Sequence, residues 1–208
     1  MSFGPTQHLI IPVAVVNDPA TADGLAQALL DGGLPVAEVT FRTTAAPEAI
    51  RAMCKHDDLL VGAGTVLTPE QVDVAVDAGA RFIVSPGLSA AVVGRAGQRG
   101  VPVIPGAVTP SELMAALALG LTTVKFFPAS TYGGVSAIKA LHAPFRDVSF
   151  IPTGGVSLAN LTDYLSLPYI PAVGGSWMVP ADAVDAGDFE LVARLCGEAV
   201  SAAAAAIA

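Results

Sequence analysis

Ile10-Ile11-Pro12-Val13-Ala14-Val15-Val16-Asn17-Asp18-Pro19 decides the fold. Residues 10–16 form an unbroken apolar run rather than an alternating one, as expected of a parallel strand covered on both faces. Asp18-Pro19 then offers a helix N-cap followed by proline at the first helical position. Strand followed directly by helix is the start of a βα unit. What the turn lacks matters as much. No G-x-G-x-x-G follows the strand, so the dinucleotide fingerprint of an open doubly wound sheet is missing.

The unit recurs along the chain. Further apolar runs at Val36–Phe41, Leu59–Ala63, Phe82–Ser85, Val101–Ile104, Thr123–Phe127, Ser149–Pro152 and Tyr169–Val173 bring the strand candidates to eight. They stand roughly two dozen residues apart, the scale of a compact βα unit. Thr68-Pro69-Glu70-Gln71 and Thr109-Pro110-Ser111-Glu112 repeat the cap-and-proline start, each ending in a capping-box residue. Gly32-Gly33, Gly79, Gly100 and Gly120 follow helical runs, where a left-handed residue is wanted. No linker or composition break divides the chain. The expected architecture is a (β/α)8 TIM barrel in one domain over residues 1–208, with a short N-terminal lead-in. The alanine-rich tail from Ser201 is expected to extend or fray from the last helix.

Composition narrows the function. The 208 residues are 53% hydrophobic and 13% charged, with a net charge of −8. No cluster of Lys and Arg appears, so nucleic acid and anionic membrane are not expected partners. No apolar run approaches the roughly 20 residues of a membrane span, and the start lacks a basic and then apolar leader. Cys54 and Cys196 show no metal spacing and read as free thiols in a reducing cytosol. His8, His56 and His142 read as surface residues, and no metal-ligand cluster forms.

Thr123-Val124-Lys125-Phe126-Phe127-Pro128-Ala129 places a lysine in a run that otherwise reads as buried. Lysine rarely occupies such a setting unless it is paired or used. Burial disfavours the charged form of an amine, and a neutral amine can attack a carbonyl to form a Schiff base. Lys55 and Lys139, the other two lysines, lie in polar or helical contexts. The alternative for Lys125 is a structural ion pair with an acid.

In a barrel the catalytic face lies at the C-terminal ends of the strands. On the second strand Glu38 interrupts the apolar run, and Arg42 follows at the same parity, so both can face the interior. A buried acid suits proton transfer near neutral pH; the competing reading is a structural Glu–Arg or Glu–Lys pair. Gly62-Ala63-Gly64-Thr65, Ser85-Pro86-Gly87 and Pro105-Gly106-Ala107 end strands three to five with small residues, a roomy mouth beside the Thr65 hydroxyl. Pro152-Thr153-Gly154-Gly155 and Val173-Gly174-Gly175-Ser176-Trp177 end strands seven and eight. Paired glycines there match the usual phosphate site of such barrels, where backbone N–H groups approach an anion.

These motifs, with Glu38-Val39-Thr40-Phe41-Arg42-Thr43 and Lys125-Phe126-Phe127-Pro128-Ala129, occur in the order of a known family. From about Ile11 to about Val200 the chain resembles the bacterial 2-keto-3-deoxy-6-phosphogluconate aldolases, class I lyases also described as 4-hydroxy-2-oxoglutarate aldolases. The resemblance implies that Lys125 is the Schiff-base lysine and Glu38 the general acid/base. It implies that Arg42 and Thr65 grip the keto-acid carboxylate and that Thr153 senses the configuration of a sugar hydroxyl. Gly154, Gly155, Gly175 and Ser176 would cradle the phosphate, with Pro86 and Phe127 also against the substrate. Pyruvate and a phosphorylated 2-keto acid are the implied ligands, with no metal and no cofactor, in a cytoplasmic homotrimer. Asn17 and Ser130 depart from many relatives, which carry Lys or Glu at the first position and Glu at the second; both bear on fine substrate preference. The rival readings are an aldolase for the galactonate epimer or for unphosphorylated keto acids, a phosphosugar isomerase or epimerase without a covalent adduct, and a non-catalytic phosphate-binding barrel.

Overall fold

The computed structural model describes residues 4–207. Eight parallel strands alternate with helices: β1 (Ile10–Ala14), β2 (Val36–Thr40), β3 (Leu60–Gly64), β4 (Ile83–Val84), β5 (Val103–Ile104), β6 (Thr123–Phe126), β7 (Ser149–Pro152) and β8 (Val173–Gly175). Each expected run contains or overlaps a strand. The last is displaced: Pro168 and Pro171 flank Tyr169-Ile170 and supply no N–H to a ladder, so pairing starts only at Val173. Tyr169 instead stacks its ring on His142, with centroids 3.6 Å apart.

The sheet order is β5-β4-β3-β2-β1-β8, a curled parallel sheet of six strands, with β6 and β7 paired separately. Single parallel bridges, Gly106–Lys125 and Thr153–Gly174, stand at the two gaps. The fold is therefore TIM-like, but the continuous eight-strand ladder expected of a barrel does not form. Pro105 and Pro152 sit beside these gaps and cannot donate to a neighbouring strand.

Side chains alternate between the two faces of each strand. Ile11, Val36, Val84, Ile104, Ile151 and Ala172 point one way and pack with Phe82 as an inner cluster. Ile10, Ala14, Ala37, Val39, Val124 and Phe126 belong to the larger cluster that includes the buried helix residues. Phe126 and Phe150, both fully buried, meet edge to face at 6.4 Å; truncating either to alanine is expected to cost about 3–5 kcal/mol. Glu38 lies two residues beyond Val36, and Lys125 pairs in register with Ile151, so both share the inner parity.

The helices are α1 (Ala22–Asp31), α2 (Ala46–Met53), α3 (Pro69–Asp77), α4 (Ala90–Gln98), α5 (Pro110–Ala118), α6 (Gly134–His142), α7 (Leu161–Leu165), α8 (Ala181–Ala186) and α9 (Phe189–Ile207). Thr109 and Glu112 form a full capping box at α5. At α3 Thr68 accepts from the Gln71 N–H, but the Gln71 side chain reaches one residue further back, to the Leu67 N–H. Asp18 caps a short 3-10 turn, Pro19–Thr21, that leads into α1. Gly33, Gly79, Gly100 and Gly120 take positive φ after their helices, whereas Gly32 stays right-handed. The alanine-rich tail continues α9 as far as Ile207. Cys54 and Cys196 are free thiols. The histidines are half-buried rather than on the surface, because His142 stacks on Tyr169 and His56 turns toward Asp23. No helix among the described residues is long and apolar enough to cross a membrane.

Candidate active site

The curl of the sheet brings Glu38 on β2 and Lys125 on β6, strands that do not pair with each other, together from opposite parts of the chain. Lys125 Nζ donates to Glu38 Oε1 at 2.9 Å and to Oε2 at 3.2 Å. Lys125 is 6% exposed and Glu38 3% exposed. Gly64, at the end of β3, makes room for the acid: a Cβ there would overlap the Glu38 carboxylate. The Phe127 ring lies 5.4 Å from Nζ, within cation–π range. The amine and the carboxylate are thus held within proton-transfer distance in the interior.

Phe127 also borders a cavity of about 420 Å³. Its walls include Arg42, Thr153, Gly154, Gly155, Gly175 and Ser176. Arg42 extends from the loop after β2 and makes no hydrogen bond or ion pair among the described residues. Thr153 is buried, while Ser176 is exposed. Gly154 and Gly155 have φ of 90° and 79°, the left-handed region that favours glycine. At Gly155 a side chain would also overlap the Ser130 hydroxyl.

Two expected contacts stand apart from this wall. Thr65 follows Gly64 at the end of β3, beside the Glu38 carboxylate's neighbour, and holds a φ of 57°. Positive φ is strained for a β-branched residue, and such strain clusters at functional sites. Pro86 presents its carbonyl to Gly106, which closes against it. Neither lines the 420 Å³ cavity, and nor do Lys125 and Glu38, which meet its wall through the Phe127 ring. Conversely, Val13 and Val15 from the β1 end and Val179-Pro180-Ala181 ahead of α8 do line it. Nothing in the sequence marks them, because apolar side chains carry no chemical signature; only their place at the ends of β1 and β8 does.

The arrangement supplies a sealed amine–carboxylate pair, one unpaired guanidinium, two hydroxyls and a glycine-lined turn. Together these can form an imine, move protons beside it and hold an anionic substrate. No three His, Cys, Asp or Glu side chains converge as a metal-binding group among the described residues.

Comparison with known proteins agrees with that chemistry. The KDPG and KHG aldolase family model matches residues 5–195. The KHG/KDPG aldolase of Escherichia coli (strain K12) is 48% identical over 195 residues, covering 93% of this chain and 92% of its own. The KDPG aldolase of Legionella pneumophila, solved with pyruvate captured at low pH as a covalent carbinolamine intermediate, superposes with a TM-score of 0.88 at 42% identity, covering 91% of this chain and 93% of that one. The 2-keto-3-deoxy-6-phosphogluconate aldolase of Zymomonas mobilis ZM4, solved with 3-phosphoglycerate, gives 0.87 at 43% identity, covering 92% and 90%. With a family match over nearly its whole length and relatives at this identity, the chain belongs to the KDPG and KHG aldolase family.

Proposed function

We propose that this chain is a class I aldolase, a carbon–carbon lyase that cleaves 2-keto-3-deoxy-6-phosphogluconate to pyruvate and glyceraldehyde 3-phosphate. 4-Hydroxy-2-oxoglutarate is a second substrate on this reading, in keeping with the name of the Escherichia coli relative. The observation that carries it is the buried Lys125–Glu38 contact at 2.9 Å, next to a cavity that holds an unpaired Arg42.

Lys125 attacks the C2 carbonyl of the keto acid, and loss of water gives an iminium. That cation draws electrons from the C3–C4 bond. Glu38, as carboxylate, takes the C4 hydroxyl proton; the bond breaks, and the aldehyde phosphate leaves. The enamine left on Lys125 is protonated at C3, and water hydrolyses the iminium to pyruvate and free amine. The iminium takes the place a Lewis acid would otherwise fill, so no metal or cofactor enters the scheme. Arg42 holds the carboxylate in charge-assisted hydrogen bonds, with Thr65 beside it. Thr153 reads the sugar hydroxyl, and Pro86 and Phe127 flank the substrate. Gly154, Gly155, Gly175 and Ser176 take the phosphate.

The wider reading is one domain of TIM-like (β/α)8 type, with the Gly106–Lys125 and Thr153–Gly174 bridges at the two gaps in its ladder, acting in the cytosol as a homotrimer. The trimer rests on family likeness, and the compartment on the reading of Cys54 and Cys196 as free thiols. Light scattering that returns a mass other than three chains overturns the trimer.

The decisive experiment is incubation with pyruvate, reduction with borohydride and peptide mass mapping. An adduct on Lys125 supports imine chemistry. A folded protein with no adduct refutes it and leaves Lys125 a structural cation.

A further inference from the structure

We propose that Thr43 is a positioning residue for Arg42, acting through the hydrogen bond of its hydroxyl to the Val16 carbonyl. The inference rests on the reading above, in which Arg42 takes the substrate carboxylate.

Arg42 sits in the loop between β2 and α2, and nothing among the described residues holds its own side chain. The loop is pinned on both sides of it instead. The Phe41 N–H donates to the Gly64 carbonyl at 2.8 Å. The Thr43 hydroxyl donates to the Val16 carbonyl at 2.5 Å. The first pin follows from main-chain pairing and would survive almost any side chain. The second depends on the hydroxyl. The residue at the α2 N-cap, Ala45, provides no side-chain bond, so the start of the helix holds the loop only through the Ala46 N–H, which donates to the Thr43 carbonyl at 3.5 Å.

The acceptor is itself well held. Val16 is fully buried. Its neighbour Val15 lines the cavity, and its other neighbour, Asn17, donates from Nδ2 to Asp185 Oδ2 on α8 at 2.8 Å. The exit of β1 thus joins the wall ahead of α8 to the loop that carries Arg42. Threonine has few χ1 states, so tying its hydroxyl also fixes the adjacent backbone. A long side chain that must be ordered on binding costs affinity, and a pre-set loop reduces that cost.

The test is steady-state cleavage of the phosphorylated keto acid by Thr43→Val, Thr43→Ser and Arg42→Ala, with Thr43→Val also made in the Arg42→Ala background. Loss of one positioning hydrogen bond predicts a KM raised roughly 5- to 10-fold in Thr43→Val, with kcat within about twofold of the parent. Thr43→Ser keeps the hydroxyl and restores the parent KM. In the Arg42→Ala background the Thr43→Val penalty disappears, because the two side chains act as one unit. A parental KM in Thr43→Val, or an equal penalty in both backgrounds, overturns the role of Thr43 while leaving that of Arg42 intact. A parental KM in Arg42→Ala overturns the underlying reading as well. If circular dichroism shows Thr43→Val unfolded, Thr43→Ala replaces it under the same criteria.

Discussion

Lys125 Nζ and Glu38 Oε1 lie 87 residues apart in sequence and 2.9 Å apart in space, with both side chains less than a tenth exposed. In that setting each group compensates the burial of the other, and each has chemistry to perform once substrate arrives.

Removing the carboxylate charge alone separates catalysis from packing. Glu38→Gln keeps the size of the side chain but cannot take up the C4 hydroxyl proton. Turnover is expected to fall by about 10²–10⁴-fold. Single-turnover kinetics at parental rate would rule out Glu38 as the base.

Stability follows the pair rather than either member. Lys125→Met strands the Glu38 charge in the interior and is expected to cost about 3–5 kcal/mol in urea unfolding. Lys125→Met with Glu38→Leu removes both charges and should cost less than the single change. A double variant less stable than Lys125→Met would contradict this.

Gly155 is constrained twice, by its φ of 79° and by the Ser130 hydroxyl beside it. Gly155→Ala should lose about 1–2 kcal/mol of stability, the cost of a left-handed conformation for an L residue. It should also raise KM for the phosphorylated keto acid more than for 4-hydroxy-2-oxoglutarate. Adding Ser130→Gly relieves the overlap but not the φ strain, so recovery is partial. Equal KM changes for both substrates would take the phosphate away from this turn.

The Asp73 carboxylate accepts from Arg95 Nε at 2.9 Å and Arg99 Nη1 at 2.6 Å, which ties α3 to α4 and to the residue after it. The hydrogen bonds from Arg95 and then Arg99 hold it below its ordinary value of 3.8. A carboxylate lowered by folding stabilises the native state above its unfolded value and loses that contribution as pH falls through the folded one. Asp73→Asn should therefore be less stable at neutral pH, with the gap closing below about pH 4. A gap that stays constant from about pH 7 to about pH 3 contradicts this.

Burial pushes the Cys196 thiol up to about 12, and it also raises Cys54, against the opposing charge of Arg81. Since the thiolate is the reactive form, Cys196 should resist alkylation in the native protein and react on unfolding. Rapid native labelling of Cys196, read by peptide mass, would show that α9 opens locally.

The sequence by itself determined the eight βα repeats, the helix starts at Thr68 and Thr109, and the residues with chemistry to offer. These are local properties: an apolar run, a capping side chain or a lysine out of place is visible over a few residues. Tertiary structure alone decided the partners. Glu38 and Arg42 have the same parity in sequence, yet β2 ends at Thr40, so the acid turns to Lys125 on the inner face of β6 while Arg42 stands in the following loop at the cavity, unpaired among the described residues. The interrupted ladder at β5–β6 and β7–β8 was equally out of reach, since strand pairing depends on residues brought together from distant segments. The apolar walls at Val13, Val15 and Val179 belong to the same class. What a residue touches across a curled sheet is set by register and curvature, and neither is a property of its sequence neighbours.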